Sequence, residues 1–256
     1  MKNYVKISNI IKKFNKVITV QGDKSISIRW ALMASQAVGK SRAKNLLKSE
    51  DVESTLNALK KIGVKVFKNQ KYCEIIGKGL NSYNFKNNTT IDAGNSGTLA
   101  RLILGLLSGY SRSVKIKGDK SLSRRDFSRI IKPLNIFFVK IKSKNNKLPV
   151  TLKGTKFLRP IYFDEKKGSA QVKSCIMLAS LNAPGITKIK CVNSRDHTER
   201  LFKYLKIPLK INKISKKQQV IEVEGKKQYN AFNYNIPGDI SSASFFIVLT
   251  SLSKNS

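Results

Sequence analysis

A repeat of about 72 residues is the feature that most constrains the fold of this chain. Each unit opens with a Gly and a few small or hydroxyl residues, followed by an apolar run of helical length. The Gly residues that open these segments are Gly22, Gly94, Gly168 and Gly238. A fixed period of this size indicates one supersecondary unit, repeated so that each copy buries its apolar face against its neighbours.

A second helical segment recurs in step with the first, and each copy opens near a carboxylate: Asp51, Asp126 and Asp196. An acidic residue at this position can cap a helix or favour its positive end. Short β-like stretches, such as residues 113–117 and 187–192, lie between the helices. The pattern predicts strand–helix–strand–helix–strand–strand units.

Three such units are complete over residues 16–229, and a fourth begins near residue 234 and stops after its first helix. The apolar face of that helix includes Phe245, Phe246, Val248 and Leu249. A repeat unit with a single helix cannot bury such a face by itself. We therefore expect the sequence to be part of a longer protein; the alternative is a short protein that ends in a capping helix.

The composition excludes several classes of protein. A chain that is 41% hydrophobic and strongly periodic is not disordered, although its net charge is +35. No apolar run reaches the roughly 18 residues of a membrane span. Cys73, Cys175 and Cys191 are too few and too scattered for a disulfide framework or a zinc site, and the single His197 excludes a multi-histidine metal centre.

The positive charge is compatible with nucleic-acid binding, because Lys and Arg neutralise phosphates. Lys is nevertheless spread along the whole chain, and Asn and Ile are also abundant. This distribution is typical of a biased codon usage that places Lys on the surface, and net charge informs about partners more than about fold. We therefore favour compositional bias over a dedicated nucleic-acid surface.

The turn that opens the first helix of each unit is a candidate anion site, because a helix N-terminus exposes unpaired N–H groups and a positive dipole end. Cations lie in or beside these turns: Lys24, Arg29, Arg101 and Lys173, with Arg124, Arg125 and Arg195 between the helices. Packing of three units would bring the turns to one end and form a cationic pocket for a small polyanion. The same Gly and Ser residues could instead serve only turns and helix caps.

Six segments resemble, in chain order, motifs of the EPSP synthase (3-phosphoshikimate 1-carboxyvinyltransferase) family. They are GDKSISIR at 22–29, DAGNSGTLAR at 92–101, GDKSLSRRDFSRIIKPL at 118–134, SAQVKS at 169–174, SRDHTE at 194–199 and PGDISSASFF at 237–246. The resemblance implies an α/β fold of repeated βαβαββ units. Family members have two such domains of three units each, an inside-out α/β barrel architecture, with the substrates bound between the domains.

On that fold, residues 1–15 would supply the first strand or strands of one domain. Residues 16–229 would form the complete domain of three βαβαββ units. Residues 230–256 would return into the first domain, which would be only partly present because the chain ends early. The family's catalytic Asp and Glu, a further Lys and two further Arg residues would lie in the part that is absent, so we expect no turnover by this chain alone.

The resemblance implies transfer of the enolpyruvyl group of phosphoenolpyruvate to the 5-hydroxyl of shikimate 3-phosphate, with release of phosphate. It implies no metal or organic cofactor, a cytoplasmic location, small anionic substrates as the only partners, no nucleic acid or membrane, and a monomeric full-length protein. The reaction proceeds by addition and elimination, and it belongs to aromatic amino-acid biosynthesis.

The resemblance also assigns site residues. Shikimate 3-phosphate would be bound by Lys24, Ser25, Arg29, Ser169, Ala170, Gln171 and Arg195. Phosphoenolpyruvate would be bound by Lys24, Gly97, Arg125 and Gln171, with Lys24 as the catalytic residue of this part of the protein. The sequence departs from the family pattern at Ile28, Trp30 and Asp126, and the last of these places a carboxylate beside Arg125.

Two other classes of protein have a related repeat and are alternatives for this chain. A UDP-N-acetylglucosamine enolpyruvyltransferase would use a loop Cys, whereas the three Cys residues here are predicted on strands and a helix. An RNA-binding protein similar to RNA 3′-phosphate cyclase would need a catalytic His and exposed aromatic residues among basic ones. A non-catalytic relic, or a half that works with a separately encoded half, also stays open.

Overall fold

The computed structural model describes residues 15–253, and within this range it shows an α/β fold of three four-stranded sheets and seven α-helices. The predicted fold class is confirmed. The first unit contains α1 (Lys24–Ala34), β1 (Val38–Lys44), α2 (Glu50–Lys61), β2 (Lys65–Lys68) and β3 (Tyr72–Lys78). The predicted strand in residues 1–15 falls almost entirely outside the described residues.

The second and third units each show the predicted order of two helices and four strands. The second contains β4 (Thr89–Asp92), α3 (Gly97–Leu107), β5 (Ser113–Lys117), α4 (Ser128–Ile136), β6 (Lys140–Ser143) and β7 (Val150–Lys153). The third contains β8 (Tyr162–Glu165), α5 (Ala170–Ser180), β9 (Ile186–Val192), α6 (His197–Tyr204), β10 (Leu209–Lys213) and β11 (Gln218–Glu224). The chain continues through β12 (Asn233–Asn235) and α7 (Ile240–Leu252).

The sheets of the second and third units have the same strand order, β4-β5-β7-β6 and β8-β9-β11-β10, and in each the first pair is parallel. In the first sheet, β12 takes the equivalent edge and runs parallel to β1, with Arg42 opposite Asn233. Residues 16–21 form no strand there. The chain at Gly22 instead pairs antiparallel with Gly238, and the N–H of Asp239 donates to the carbonyl of Gln21 at 2.9 Å. A strand from beyond the predicted boundary near residue 230 therefore completes the first sheet, and the domain division itself stays a prediction.

The first helix of each of the three complete units lies at the centre of the fold. Every residue of 27–34 in α1 and of 172–180 in α5 is buried, and α3 is buried over all but two of its positions. Helices that are apolar on all sides are expected in a core. The sheets cover these helices with one face, as in β9, where Thr187, Ile189 and Cys191 are buried and alternate with more exposed residues.

A glycine allows the central helices α3 and α5 to pack closely. A Cβ atom at Gly105 would lie 2.3 Å from the carbonyl oxygen of Cys175. Backbone atoms cannot rotate out of such a contact, so a side chain here would force the helices apart. The close approach matters for the site because both helices begin at the predicted substrate turns.

The first helices are capped at equivalent positions. The side chains of Asp23, Ser96 and Ser169 each accept a hydrogen bond from the N–H three residues later. The carboxylates predicted to cap the second helices behave differently. Ser49 caps α2 instead of Asp51, and Asp196 binds Arg200 at 2.8 Å because that guanidinium lies one turn along the same helix face.

Helix α7 has no buried side chain within the described residues, and Phe245 is 79% exposed. Its apolar surface is therefore as open as the sequence indicated. None of the helices in residues 15–253 has the length and apolar character that a membrane span requires.

Candidate functional site

The predicted substrate residues lie at the N-terminal ends of the three central helices and of α6. Lys24 is the first residue of α1, Gly97 the first of α3 and Ala170 the first of α5, while Arg195 precedes α6 by two residues. The shared position of the first three follows from the repeat, because α1, α3 and α5 are the equivalent helices of their units and pack against each other in the core. The N–H groups at these ends favour anions.

Gly97 lies between two guanidinium groups. A Cβ atom at this position would lie 2.7 Å from Nη1 of Arg101 and 3.0 Å from Nη1 of Arg125. The absence of a side chain therefore lets both cations approach the first turn of α3. Arg125 is exposed and donates to Oδ1 of Asn95 at 2.8 Å, which holds its guanidinium over this turn.

Gln171 joins the second unit to the third. Its Oε1 accepts a hydrogen bond from Nη1 of Arg101 at 2.9 Å, and its Nε2 donates to Oγ1 of Thr98 at 3.1 Å. Burial lowers the pKa of Arg101, and the neighbouring cations Arg125 and Arg129 lower it further. Cations held this close repel each other, so a bound anion would relieve the repulsion.

Asp126 does not pair with Arg125. Its carboxylate accepts from the backbone N–H of Ser128 at 3.0 Å and from the hydroxyl of the same residue. These hydrogen bonds lower the pKa of Asp126, and the cations Arg129 and Arg101 lower it further. The side chain turns towards the start of α4, and its negative charge raises the pKa of Arg101 against the effect of burial.

Arg29 is almost fully buried, with 4% of its surface exposed. Its Nε donates to Oγ1 of Thr198 at 2.8 Å, and its Nη2 donates to Oγ of Ser174 at 3.1 Å. A third bond runs from Nη1 to the carbonyl of Ser25. These bonds use three of the five N–H donors of a guanidinium. Burial lowers the pKa of Arg29 to about 10, partly offset by Glu199, so the group stays charged at neutral pH.

Lys173 connects α5 to α6. Its Nζ lies 2.5 Å from Oε1 of Glu199, and both side chains are buried. Breaking a buried pair by removing one partner commonly costs about 3–5 kcal/mol, because the other charge is left without compensation. Lys173 is therefore not available as a surface cation for substrate, and its role in the structure is to anchor α5 to α6.

Lys24 is half exposed and forms an ion pair with Asp51, at 3.0 Å between Nζ and Oδ2. Exposed pairs of this kind contribute only about 0.2–1 kcal/mol. An anionic ligand could therefore take the place of Asp51 at little cost. Ser25, the next residue, is half-buried, and its carbonyl accepts the bond from Arg29.

The start of α5 is held by Glu165, whose Oε2 accepts from the N–H of Ser169 at 2.9 Å. Ser169 then caps the helix through Val172. At the start of α6, Arg195 is exposed, whereas His197 is half-buried and its Nδ1 has no hydrogen-bond partner among the described residues. Burial lowers the pKa of His197, and Arg29 lowers it further.

The structure thus brings the predicted residues into two adjacent groups. One contains Gly97, Arg125 and Gln171, and the other contains Lys24, Ser25, Arg29 and Arg195, with the start of α5 between them. Sequence reasoning missed Ser174, Thr198 and Glu199 as partners of the site, although they lie inside the segments SAQVKS and SRDHTE. Only long-range contacts reveal them, since Thr198 lies 169 residues from Arg29.

A cavity of about 600 Å³ lies elsewhere. Asn182 and Gly109, at the C-terminal ends of α5 and α3, are among its lining residues. Of the predicted substrate residues, Lys24, Arg125 and Arg195 are exposed. A site that depends on these turns alone is therefore open to solvent on one side.

Comparison with known proteins identifies the family. A model of the family described as EPSP synthase (3-phosphoshikimate 1-carboxyvinyltransferase) matches residues 8–256. The chain belongs to the EPSP synthase family. The predicted resemblance is thereby confirmed, and the alternatives of a UDP-N-acetylglucosamine enolpyruvyltransferase and an RNA-binding protein are not supported.

Relatives and solved structures agree with this assignment. A 3-phosphoshikimate 1-carboxyvinyltransferase of Ruthia magnifica is 42% identical over 247 residues, which are 95% of this chain and 55% of that protein. One from Legionella pneumophila strain Corby is 39% identical, over 93% of this chain and 54% of its own length. An EPSP synthase structure from Acinetobacter baumannii superposes with a TM-score of 0.84 at 33% identity, over 94% of this chain and 55% of that one. The chain spans about half the length of the curated relatives it matches.

Proposed function

We propose that this chain provides the shikimate 3-phosphate site and part of the phosphoenolpyruvate site of an EPSP synthase. The observation that carries the proposal is that Lys24, Arg125 and Arg195 lie at the N-terminal ends of α1, α3 and α6. Arg29 connects these ends, because it projects from α1 and is hydrogen-bonded to α5 and α6. The two substrates are anions, and fixed cations at helix N-termini are the arrangement that binds phosphate and carboxylate groups.

In this proposal the second group of residues binds shikimate 3-phosphate. Arg195, the hydroxyl of Ser169, the N–H of Ala170 and the amide of Gln171 hold its phosphate and orient its ring. Arg29 and Ser25 hold the remaining polar groups from the side of α1. Rigid donors of this kind position the 5-hydroxyl without reorganisation during the reaction.

Phosphoenolpyruvate binds in the first group. Arg125 neutralises its negative charge, and Gly97 lets the guanidinium groups of Arg125 and Arg101 lie against the first turn of α3. Gln171 contacts both substrates, because it lies between the two groups. Lys24, released from Asp51, contacts phosphoenolpyruvate and serves in proton transfer as the enolpyruvyl group passes to the 5-hydroxyl and phosphate leaves.

The relatives are about twice as long as this chain, and the proposal assigns the rest of the site to residues outside the matched half. We propose that the chain binds shikimate 3-phosphate by itself but does not turn over both substrates. A phosphate-release assay with both substrates tests the second part. Release at an ordinary enzymatic rate by the purified chain would contradict it.

Calorimetric titration tests binding. Shikimate 3-phosphate is titrated into the chain, with shikimate as the ligand control. We expect saturable binding that requires the phosphate and is lost in Arg195→Ala. The matched variant Arg159→Ala removes the same charge from the loop between β7 and β8 and leaves binding unchanged. Equal weakening by both variants would show non-specific attraction to a chain of charge +35, and a folded chain that binds nothing would refute the proposal.

A further inference from the structure

The hydroxyl groups of Ser174 and Thr198 form the surface on which Arg29 rests. Their oxygens lie 2.7 Å apart, and each accepts one hydrogen bond from the guanidinium. Ser174 belongs to α5 and Thr198 to α6, whereas Arg29 projects from α1. Three helices from two repeat units therefore meet at one guanidinium.

These contacts are buried, which makes their geometry restrictive. Thr198 and Ser174 are 2% and 1% exposed, so water does not replace a hydroxyl that moves away. An unpaired donor of a buried charged group carries the full penalty of desolvation. The guanidinium therefore stays on the two hydroxyls, since no exposed position is open to it at comparable free energy.

A second link holds the two hydroxyls in place. The residue before Ser174 is Lys173, and the residue after Thr198 is Glu199, and these two form the buried ion pair between α5 and α6. The Lys173–Glu199 ion pair and the Ser174–Thr198 hydrogen bond therefore connect α5 to α6 at neighbouring positions. Glu199 also acts on Arg29 directly, because its charge raises the pKa of Arg29 against the effect of burial.

We infer that Thr198 and Ser174 are positioning residues for the anionic substrate. They touch no substrate themselves, and they fix the direction of the Arg29 guanidinium so that its remaining N–H donors face the ligand. This inference rests on the proposed function for its consequence in binding. It concerns residues whose side chains point into the protein instead of towards solvent.

Thr198→Val tests the inference, because Val has the shape of Thr and lacks the hydroxyl. We expect the affinity for shikimate 3-phosphate to fall about tenfold or more, the effect of losing one hydrogen bond to a charged group. Thr198→Ser restores the hydroxyl and should restore the affinity. Thr187→Val is the matched control, since Thr187 is also fully buried but its hydroxyl has no hydrogen-bond partner among the described residues.

The calorimetric stoichiometry distinguishes a role of Thr198 in positioning Arg29 from a role in folding. A merely structural role would reduce the fraction of chains that bind and leave the dissociation constant of the rest unchanged. Unchanged affinity in folded Thr198→Val would overturn the inference while the proposed function stands. If the unaltered chain binds no shikimate 3-phosphate, the proposed function fails first.

In that case an NMR measurement on the ligand-free protein tests whether Thr198 positions the Arg29 guanidinium. The Arg29 Nε–H should give a resolved, slowly exchanging NMR signal that disappears in Thr198→Val and is retained in Thr198→Ser and Thr187→Val. Loss in Thr198→Val alone supports the inference. A signal that exchanges equally fast in all four proteins would overturn it.

Discussion

Replacing Gly105 by Ala probes how closely the central helices must pack. The added Cβ would lie 2.3 Å from the carbonyl oxygen of Cys175 and 3.3 Å from the backbone nitrogen of Ala179. An ordinary contact begins near 3.4 Å. Helices α3 and α5 would therefore have to separate by about 1 Å along this line, because neither backbone atom can rotate away.

Two opposing effects determine how much Gly105→Ala changes the free energy of unfolding. Overpacking of a well-filled core costs typically about 1–3 kcal/mol, and a clash with backbone belongs at the upper end. Ala in a helix is about 1 kcal/mol more favourable than Gly. We expect the free energy of unfolding to fall by about 2 kcal/mol, which corresponds to a melting temperature lower by roughly 4–8 °C for a chain of this size.

Urea unfolding followed by circular dichroism measures this difference. Asn57→Ala is the control, since Asn57 is an exposed position of α2 and gains helix propensity without a clash. We expect the control to be slightly more stable than the unaltered protein. If Gly105→Ala were as stable as the control, the close approach of α3 and α5 would not be required by the fold, and our reasoning would be refuted.

Three further predictions concern the site and its helices. Gly97→Ala should displace the two guanidinium groups beside it and weaken phosphoenolpyruvate binding about tenfold in calorimetry, with the fold unchanged by circular dichroism. Burial lowers the pKa of His197, and the charge of Arg29 lowers it further, so the unfolded state binds a proton that the native state does not. The free energy of unfolding should therefore fall as the pH is lowered from about 7 to 5. His197→Gln should make the free energy of unfolding less dependent on pH in this range. Ser96→Ala removes the cap on Leu99 and should cost about 1 kcal/mol in urea unfolding.

The sequence alone determined the features that depend on local spacing. The repeat indicated two helices and four strands per unit, and the second and third units have that order. A cap acts over three residues, so the turns at Ser96 and Ser169 follow from short segments. Six motifs in chain order were enough to identify the family, because each motif is short and contiguous.

Only the tertiary structure decided which distant segments meet. It placed β12 on the edge of the first sheet, where the repeat predicted residues near 16. The chain just before α1 pairs antiparallel with the segment before α7 instead of with β1. It also buried Arg29 against Thr198, 169 residues away. The sequence places a cation in each turn, but whether that cation faces solvent, another guanidinium or a buried hydroxyl depends on the packing of three units, and local spacing carries no information about that packing.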